Sequence, residues 1–388
     1  MLADCDAGNV VTAAQAGAQT GLRLLPVLLA LVPLLYMVQE LTVRLGLFTG
    51  RGFGELVRAR LGPVCAGLAA AGLIVAVLGS LVTEFTGVAG VGEMFGVSRA
   101  VSLPLAVAVL CGIVLTGSHR RVDRIAIAIG VFDLAFFAVA WSARPQWHKV
   151  TQAMTHLPFN SREFAYLAAA LIGATFNPWM VFYQQAAVAD SPGTRNLASA
   201  RVETAVGAVL TQCLTGAVLV AAAATLSAHG QSHSLGSIGE IGNALVVELG
   251  PFAGRLLFGT GVLGAALVAA IVSSLALAWG LGEVFGYKAS LEAAPARAPW
   301  FYAAYALSVA GSACFVWVSP DLVSLNVAAQ VVNALMLPFV VVMLVVLSVT
   351  VLPKPHRPRG LYLWLVIVVG AMVCAAGVWG AIQGWHPR

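Results

Sequence analysis

Apolar residues run in long blocks along this 388-residue chain, and the polar stretches between them are short. Blocks near 23–46, 63–93, 101–117, 122–142, 163–190, 197–227, 251–281, 300–318, 321–351 and 361–382 reach or approach the roughly 20 residues a helix needs to cross a bilayer. A shorter helix is predicted from Asn9 to about Thr20, so ten full spans follow one partial span. No polar stretch is long enough for a separate soluble domain. Residues 1–388 therefore read as one all-α integral membrane domain, multi-pass and held in the lipid bilayer of the plasma (inner) membrane.

Composition agrees. Hydrophobic residues make up 60% of the chain and charged residues 10%, against about 25% charged in soluble domains. Lys and Arg gather in alternate loops: Arg44 to Arg60, Arg120 to Arg124, Arg195 to Arg201, Lys288 to Arg297 and Lys354 to Arg359. These loops should share the cytoplasmic side. The loop at 228–250 has no Lys or Arg and belongs outside, while the loop at 143–162 carries Arg144, Lys149 and Arg162 against the trend. The net charge of +5 reflects this bias. No basic cluster alternates with aromatics, so a nucleic-acid partner is not expected. The six cysteines are scattered among apolar neighbours without a CxxC pair and read as small hydrophobes. There is no HExxH and no GxSxG elbow, so an intramembrane enzyme is not expected.

Two places break the apolar pattern with chemistry. Asp6-Ala7-Gly8-Asn9 heads the first helix, and Gly173-Ala174-Thr175-Phe176-Asn177-Pro178 interrupts the sixth. A carboxylate at membrane depth is costly and marks an ion or substrate path by default. Counted in spans, helices 1–5 (1–142) and 6–10 (163–351) each open on one break, and 361–382 is an added eleventh helix. An odd repeat length gives the halves opposite topology. Interrupted helices at matching positions of inverted halves point to a transporter site at the midplane. The first break lies within a few residues of Met1, so the first repeat is expected to be N-terminally truncated, without the cytoplasmic half of helix 1.

Asp6-Ala7-Gly8-Asn9, followed by Thr12 to Gln19, resembles the DPGN and AGAQ stretch of the Nramp metal-ion transporters. The likeness continues at Gln39, Arg44-Leu45-Gly46, Thr49-Gly50-Arg51, Glu84 to Gly87, Gly173 to Pro178 and Gln330 to Pro338. The resemblance implies the leucine-transporter fold, an inverted repeat of five plus five helices plus an eleventh. It implies a metal held by Asp6, Asn9, the Ala174 carbonyl and Asn177, with Gln330 of helix 10 able to approach it. It also places Glu84 in a proton network. The chain departs from the pattern where the family has Pro, Met, His and a second helix-3 acid, which are Ala7, Asn177, Trp179 and Leu81 here. These departures are similar to those of the Nramp-related magnesium transporters.

The residues themselves point the same way. Thioether ligands favour transition metals, whereas carboxylate, carbonyl and water suit magnesium, calcium and manganese. With Asn177 in place of Met the expected shell is hard, and one acid among amides suits a partly hydrated ion. The expected cargo is therefore Mg2+ or Mn2+, with no resident cofactor and a monomeric carrier. Asp4 either adds to the field at the site or sits in a solvated end. Glu84 either relays protons or ions or pairs across helices. Asp133 and Glu40 read as structural, and of Gln330 and Asn333 one faces the ion and the other bonds across helices. All seven histidines fall in loops or at helix ends, which argues against obligatory proton coupling. The alternatives are a standard proton-coupled Mn2+/Fe2+ transporter and a sodium-coupled amino-acid carrier of the same fold. Asp6 would repel a substrate carboxylate in the latter.

Overall fold

The computed structural model describes residues 5–116, 119–142, 158, 161–189, 196–225, 237–245 and 251–384. Asp4 lies outside them, as does most of the loop at 143–162. The described residues are helical with short connections and contain no strand. Nine helical stretches among them are long and apolar enough to cross a membrane, and Arg99–Leu115 is a shorter apolar helix. The first stretch, Ala7–Thr49, is divided at Gly21, whose φ of 62° closes one helix before the next begins.

In chain order the first half contains α1 (Ala7–Thr20), α2 (Leu25–Thr49), α3 (Phe53–Met94), α4 (Arg99–Leu115) and the pair α5 (His119–Gly130) and α6 (Ala135–Ser142). A 3₁₀ turn, Val131–Leu134, joins α5 to α6. The second half contains α7 (Arg162–Thr175), α8 (Pro178–Ala189), α9 (Leu197–Thr225), α10 (Ile238–Leu245), α11 (Pro251–Phe285), α12 (Pro299–Val318) and α13 (Leu322–Thr350). The added helix is α14 (Gly360–Gly384).

The packing pairs exchange between the halves. α1 packs on α9, and its counterparts α7 and α8 pack on α2. α3 packs on α13, and its counterpart α11 packs on α5, α6 and the turn between them. α3 and α11 also pack on each other along much of their length. α1 sits inside this frame: every residue from Ala7 to Ala18 is buried. Small residues make that possible. A methyl on Gly17 would lie 2.3 Å from the Leu219 carbonyl oxygen, so glycine there sets the approach of α1 to α9.

Two elements differ from the hydropathy reading. α3 begins at Phe53, ten residues before the apolar block, and bends at Gly62 (φ 87°) ahead of Pro63. Glu55, Arg58 and Arg60 hide the lead turn from a hydropathy window, but Phe53, Leu56 and Val57 are buried at helical spacing. The stretch between α9 and α11 carries α10, whose Ile238 and Ile241 are buried. Glycine at position 90 admits Ile238, since a methyl there would lie 2.5 Å from its Cβ.

Candidate functional site

The site is built on helix ends. Asp6 is the N-cap of α1, with extended backbone (φ −91°, ψ 173°), and its Oδ1 accepts from the Asn9 backbone N–H at 2.6 Å. The first N–H groups of a helix have no partner within it. Glu84 of α3 satisfies another of them, its Oε2 accepting from the Ala7 N–H at 3.1 Å. Its Oε1 accepts from the Thr83 hydroxyl at 3.2 Å. Glu84 therefore pairs across helices at the head of α1, one residue from Asp6.

The second break follows from Pro178. A helical carbonyl at 174 would accept from the N–H at 178, but proline has none. α7 stops at Thr175, Phe176 leaves the helical region (φ −114°, ψ 73°), and α8 starts at Pro178. The freed Ala174 carbonyl instead accepts from Asn9 Nδ2 at 3.0 Å and from Asn177 Nδ2 at 3.1 Å. The same Asn177 amide nitrogen donates to Asp6 Oδ2 at 3.1 Å. Carbonyls at the C-terminal end of α7 carry the negative end of its dipole, which favours a cation.

α13 closes the cluster. Asn333 Nδ2 donates to Asn177 Oδ1 at 2.8 Å and to Gln330 Oε1 at 3.0 Å. Gln330 is clamped between the head of α1 and the end of α7. A methyl on Gly8 would lie 1.9 Å from Gln330 Nε2, and one on Gly173 would lie 1.7 Å from the Gln330 carbonyl oxygen. Glycine at each place thus lets the head of α1, the end of α7 and α13 meet at one point. Asp6, Asn9, Ala174, Asn177, Gln330 and Asn333 are all buried.

Every predicted site residue that the structure describes lies in this cluster or against it. Asn333 joins as well. Its signal was the spacing Gln330, Asn333, which puts both amides on one face of α13. The amide of Asn177 is turned the other way from the expectation, since nitrogen rather than oxygen faces Asp6. Trp179 and Leu81 are buried, and the Trp179 indole N–H donates to Ser80 Oγ at 3.1 Å. Glu40 is structural: at 2% exposure it accepts from Arg44 (Nη2 at 2.5 Å), Arg201 and Tyr362. Asp133 is the other acid read as structural. It is fully buried, and neither carboxylate oxygen has a hydrogen-bond partner among the described residues. Among the described residues no three His, Cys, Asp or Glu side chains gather to hold a metal. The cluster offers one acid, several amides and a backbone carbonyl.

A buried polar point where the head of one helix and the break in another meet a third, within a bundle of long apolar helices, defines a class of protein: a multi-pass membrane transporter. Over residues 1–383 the chain matches the family described as Nramp, natural resistance-associated macrophage protein-like. It belongs to the Nramp family. It is 26% identical over 355 residues to the divalent metal cation transporter MntH of Burkholderia ambifaria, covering 88% of this chain and 77% of that one. The MntH of Yersinia enterocolitica is 28% identical over 290 residues, covering 70% and 68%. Among solved structures, the manganese transporter of Eremococcus coleocola superposes with a TM-score of 0.77 at 15% identity, covering 99% of this chain and 84% of that one. MhsT in complex with L-phenylalanine superposes with a TM-score of 0.63 at 14% identity, covering 99% and 97%. These likenesses establish the leucine-transporter fold. With its bacterial relatives, the chain is a multi-pass protein of the plasma membrane.

Proposed function

We propose that the chain carries divalent metal cations across the membrane by alternating access, with the cargo held between Asp6, Asn9, the Ala174 carbonyl and Asn177. One observation carries this reading. The Ala174 carbonyl, released by Pro178, turns to the same point as the Asp6 carboxylate at the head of α1. The names of the relatives, divalent metal cation and manganese transporters, support it.

The ligand set is hard, so Mg2+ and Mn2+ are the proposed cargo. The amide N–H groups of Asn9 and Asn177 donate to the same oxygens that the ion would contact. An arriving cation displaces them. Asn177 then turns its amide by half a rotation, Oδ1 toward the ion and Nδ2 toward Asn333. Asn333, whose Nδ2 faces Asn177, turns with it and accepts that N–H on its Oδ1, which has no hydrogen-bond partner among the described residues. Gln330, against Gly8, completes or screens the shell.

Residues 1–142 and 163–351 act as the two repeats, and the carrier works as a monomer. Uptake runs without obligatory proton cotransport, since Trp179 and Leu81 stand where the family has a His and an acid and leave Glu84 nearly alone as a titratable group beside the path. The driving force is then the membrane potential, about 2.3 kcal/mol per charge per 100 mV.

The test is flux into proteoliposomes holding the purified chain, with Mg2+, Mn2+ or L-phenylalanine outside and the potential inside-negative. Saturable entry of metal, lost in Asp6→Asn, is expected. Entry of the amino acid instead of metal would establish the amino-acid carrier. Stoichiometric lumenal acidification with metal entry would establish the proton-coupled type.

A further inference from the structure

Thr12 Oγ1, Asn326 Oδ1 and Gln330 Nε2 have no hydrogen-bond partner among the described residues, and all three side chains are fully buried. They fall on helix faces that meet. A methyl on Gly8 of α1 would lie 1.9 Å from Gln330 Nε2 and 3.0 Å from Thr83 Oγ1, so α1, α13 and α3 approach one another there. Thr12 is one turn on from Gly8, on the same face of α1. Asn326 is one turn back from Gln330, on the same face of α13, and Thr86 follows Thr83 by three residues along α3. Residues at these spacings are neighbours, about 5–6 Å apart. On all three helices this direction leads away from the basic residues of Arg44 to Arg60 and Lys354 to Arg359, which makes it the outer side by the positive-inside rule.

Thr86 sets the orientation of the Asn326 amide. Its hydroxyl donates to the Thr83 carbonyl at 2.7 Å, so toward Asn326 it acts as acceptor, and Asn326 Nδ2 donates to it at 3.1 Å. The Asn326 oxygen is thereby turned away from Thr86. Thr12 differs from other helical threonines. Thr20, Thr42 and Thr49 each donate to the carbonyl four residues back, a common use of such a hydroxyl. Thr12 makes no such bond among the described residues. An unpaired buried polar atom costs stability. Two oxygens kept in that state one turn from the metal site fit a ligand that brings its own donors. The water shell of a divalent cation is such a ligand, and magnesium gives up that shell reluctantly.

We propose that Thr12 and Asn326, with Thr86 holding the Asn326 amide, form an outer step that binds a hydrated divalent cation through its waters before the ion reaches Asp6. This rests on the metal-site reading. Thr12 Oγ1 and Asn326 Oδ1 accept hydrogen bonds from the bound waters. The step supplies no charge of its own, so it holds the ion weakly, as passage through successive sites requires. Gln330 separates the two places, because its Nε2 turns an N–H rather than an oxygen toward Gly8. The ion passes when that amide turns. Beyond the step, Ile238 of α10 seats on Gly90, one turn past Thr86 on α3.

The experiment compares Mn2+ uptake into proteoliposomes with the calorimetric Kd for Mn2+ in lipid nanodiscs, for the natural chain, Thr12→Val and Asn326→Leu. Each variant should raise the KM of uptake by about three- to tenfold, the worth of one hydrogen bond, and leave Kd unchanged. Thr12→Val keeps the shape and removes a hydroxyl with no partner among the described residues, so its melting temperature should equal or exceed that of the natural chain. A purely structural threonine would give the opposite sign. Natural uptake by either variant overturns the step. A Kd that weakens with uptake assigns these residues to the Asp6 site and overturns it as well, as does a lowered melting temperature in Thr12→Val. A natural chain that neither binds nor carries Mn2+ overturns the metal-site reading, and the step with it.

Discussion

Asp6→Asn separates the charge of Asp6 from its structural role. Asp6 caps α1 through the 2.6 Å bond from the Asn9 N–H, and asparagine caps about as well as aspartate. The bond from Asn177 Nδ2 to Asp6 Oδ2 is lost, because two amide nitrogens then face each other unless one turns. That costs about 1–3 kcal/mol of local stability. The loss for the metal is larger. Two unit charges about 4 Å apart interact by about 4 kcal/mol at an effective dielectric of about 20, and a divalent ion doubles this. Part of the gain is offset by desolvation, so about 4 kcal/mol is taken as the net loss, roughly a thousandfold in Kd. Titration calorimetry with Mn2+ on purified protein in lipid nanodiscs reads it, with thermal melting to confirm folding. A folded Asp6→Asn protein whose Mn2+ affinity falls less than about tenfold would refute the assignment of Asp6 to the ion.

Three further outcomes are expected. Asn177→Met should move the preference toward cadmium and manganese over magnesium, because sulfur replaces an amide oxygen; an unchanged competition ratio in liposome uptake would show that position 177 does not face the ion. Gly173→Ala drives a methyl to 1.7 Å from the Gln330 carbonyl oxygen, a backbone atom that cannot swing away, and should lower both melting temperature and metal uptake, whereas a variant with natural stability would contradict the close approach of α7 and α13. Glu40→Gln removes the counter-charge of Arg44, itself 6% exposed, and should destabilise the fold by about 3–5 kcal/mol, read as a lower melting temperature with metal affinity retained.

The spans were legible because a bilayer demands long apolar helices, and the block boundaries near 163–190 and 321–351 fall close to α7, α8 and α13. The helix end at Asp6 and the break at Phe176 were legible because they rest on local chemistry: Asp6 as a cap and Pro178 as a missing donor four residues after Ala174. The lead turn of α3 was hidden because its charges outweigh its buried Phe53, Leu56 and Val57 in a hydropathy average. Asn333 showed its face but not its partner, since the bond to Asn177 joins residues 156 apart in the chain. The surroundings of Asp133 were hidden for the same reason. A buried acid looks structural in sequence, and only the packing of α5, α6 and α11 shows that nothing among the described residues pairs with it. The amide orientation of Asn177 likewise depends on three helices at once.

The most direct measurement is an anomalous difference map from crystals of this chain grown with Mn2+. The account predicts one peak between Asp6, Asn9, the Ala174 carbonyl and Asn177, with Asn177 Oδ1 turned to the ion and its Nδ2 to Asn333. A peak elsewhere in the membrane-spanning region, or Mn2+ bound while Asn177 Nδ2 still donates to Asp6, would contradict it.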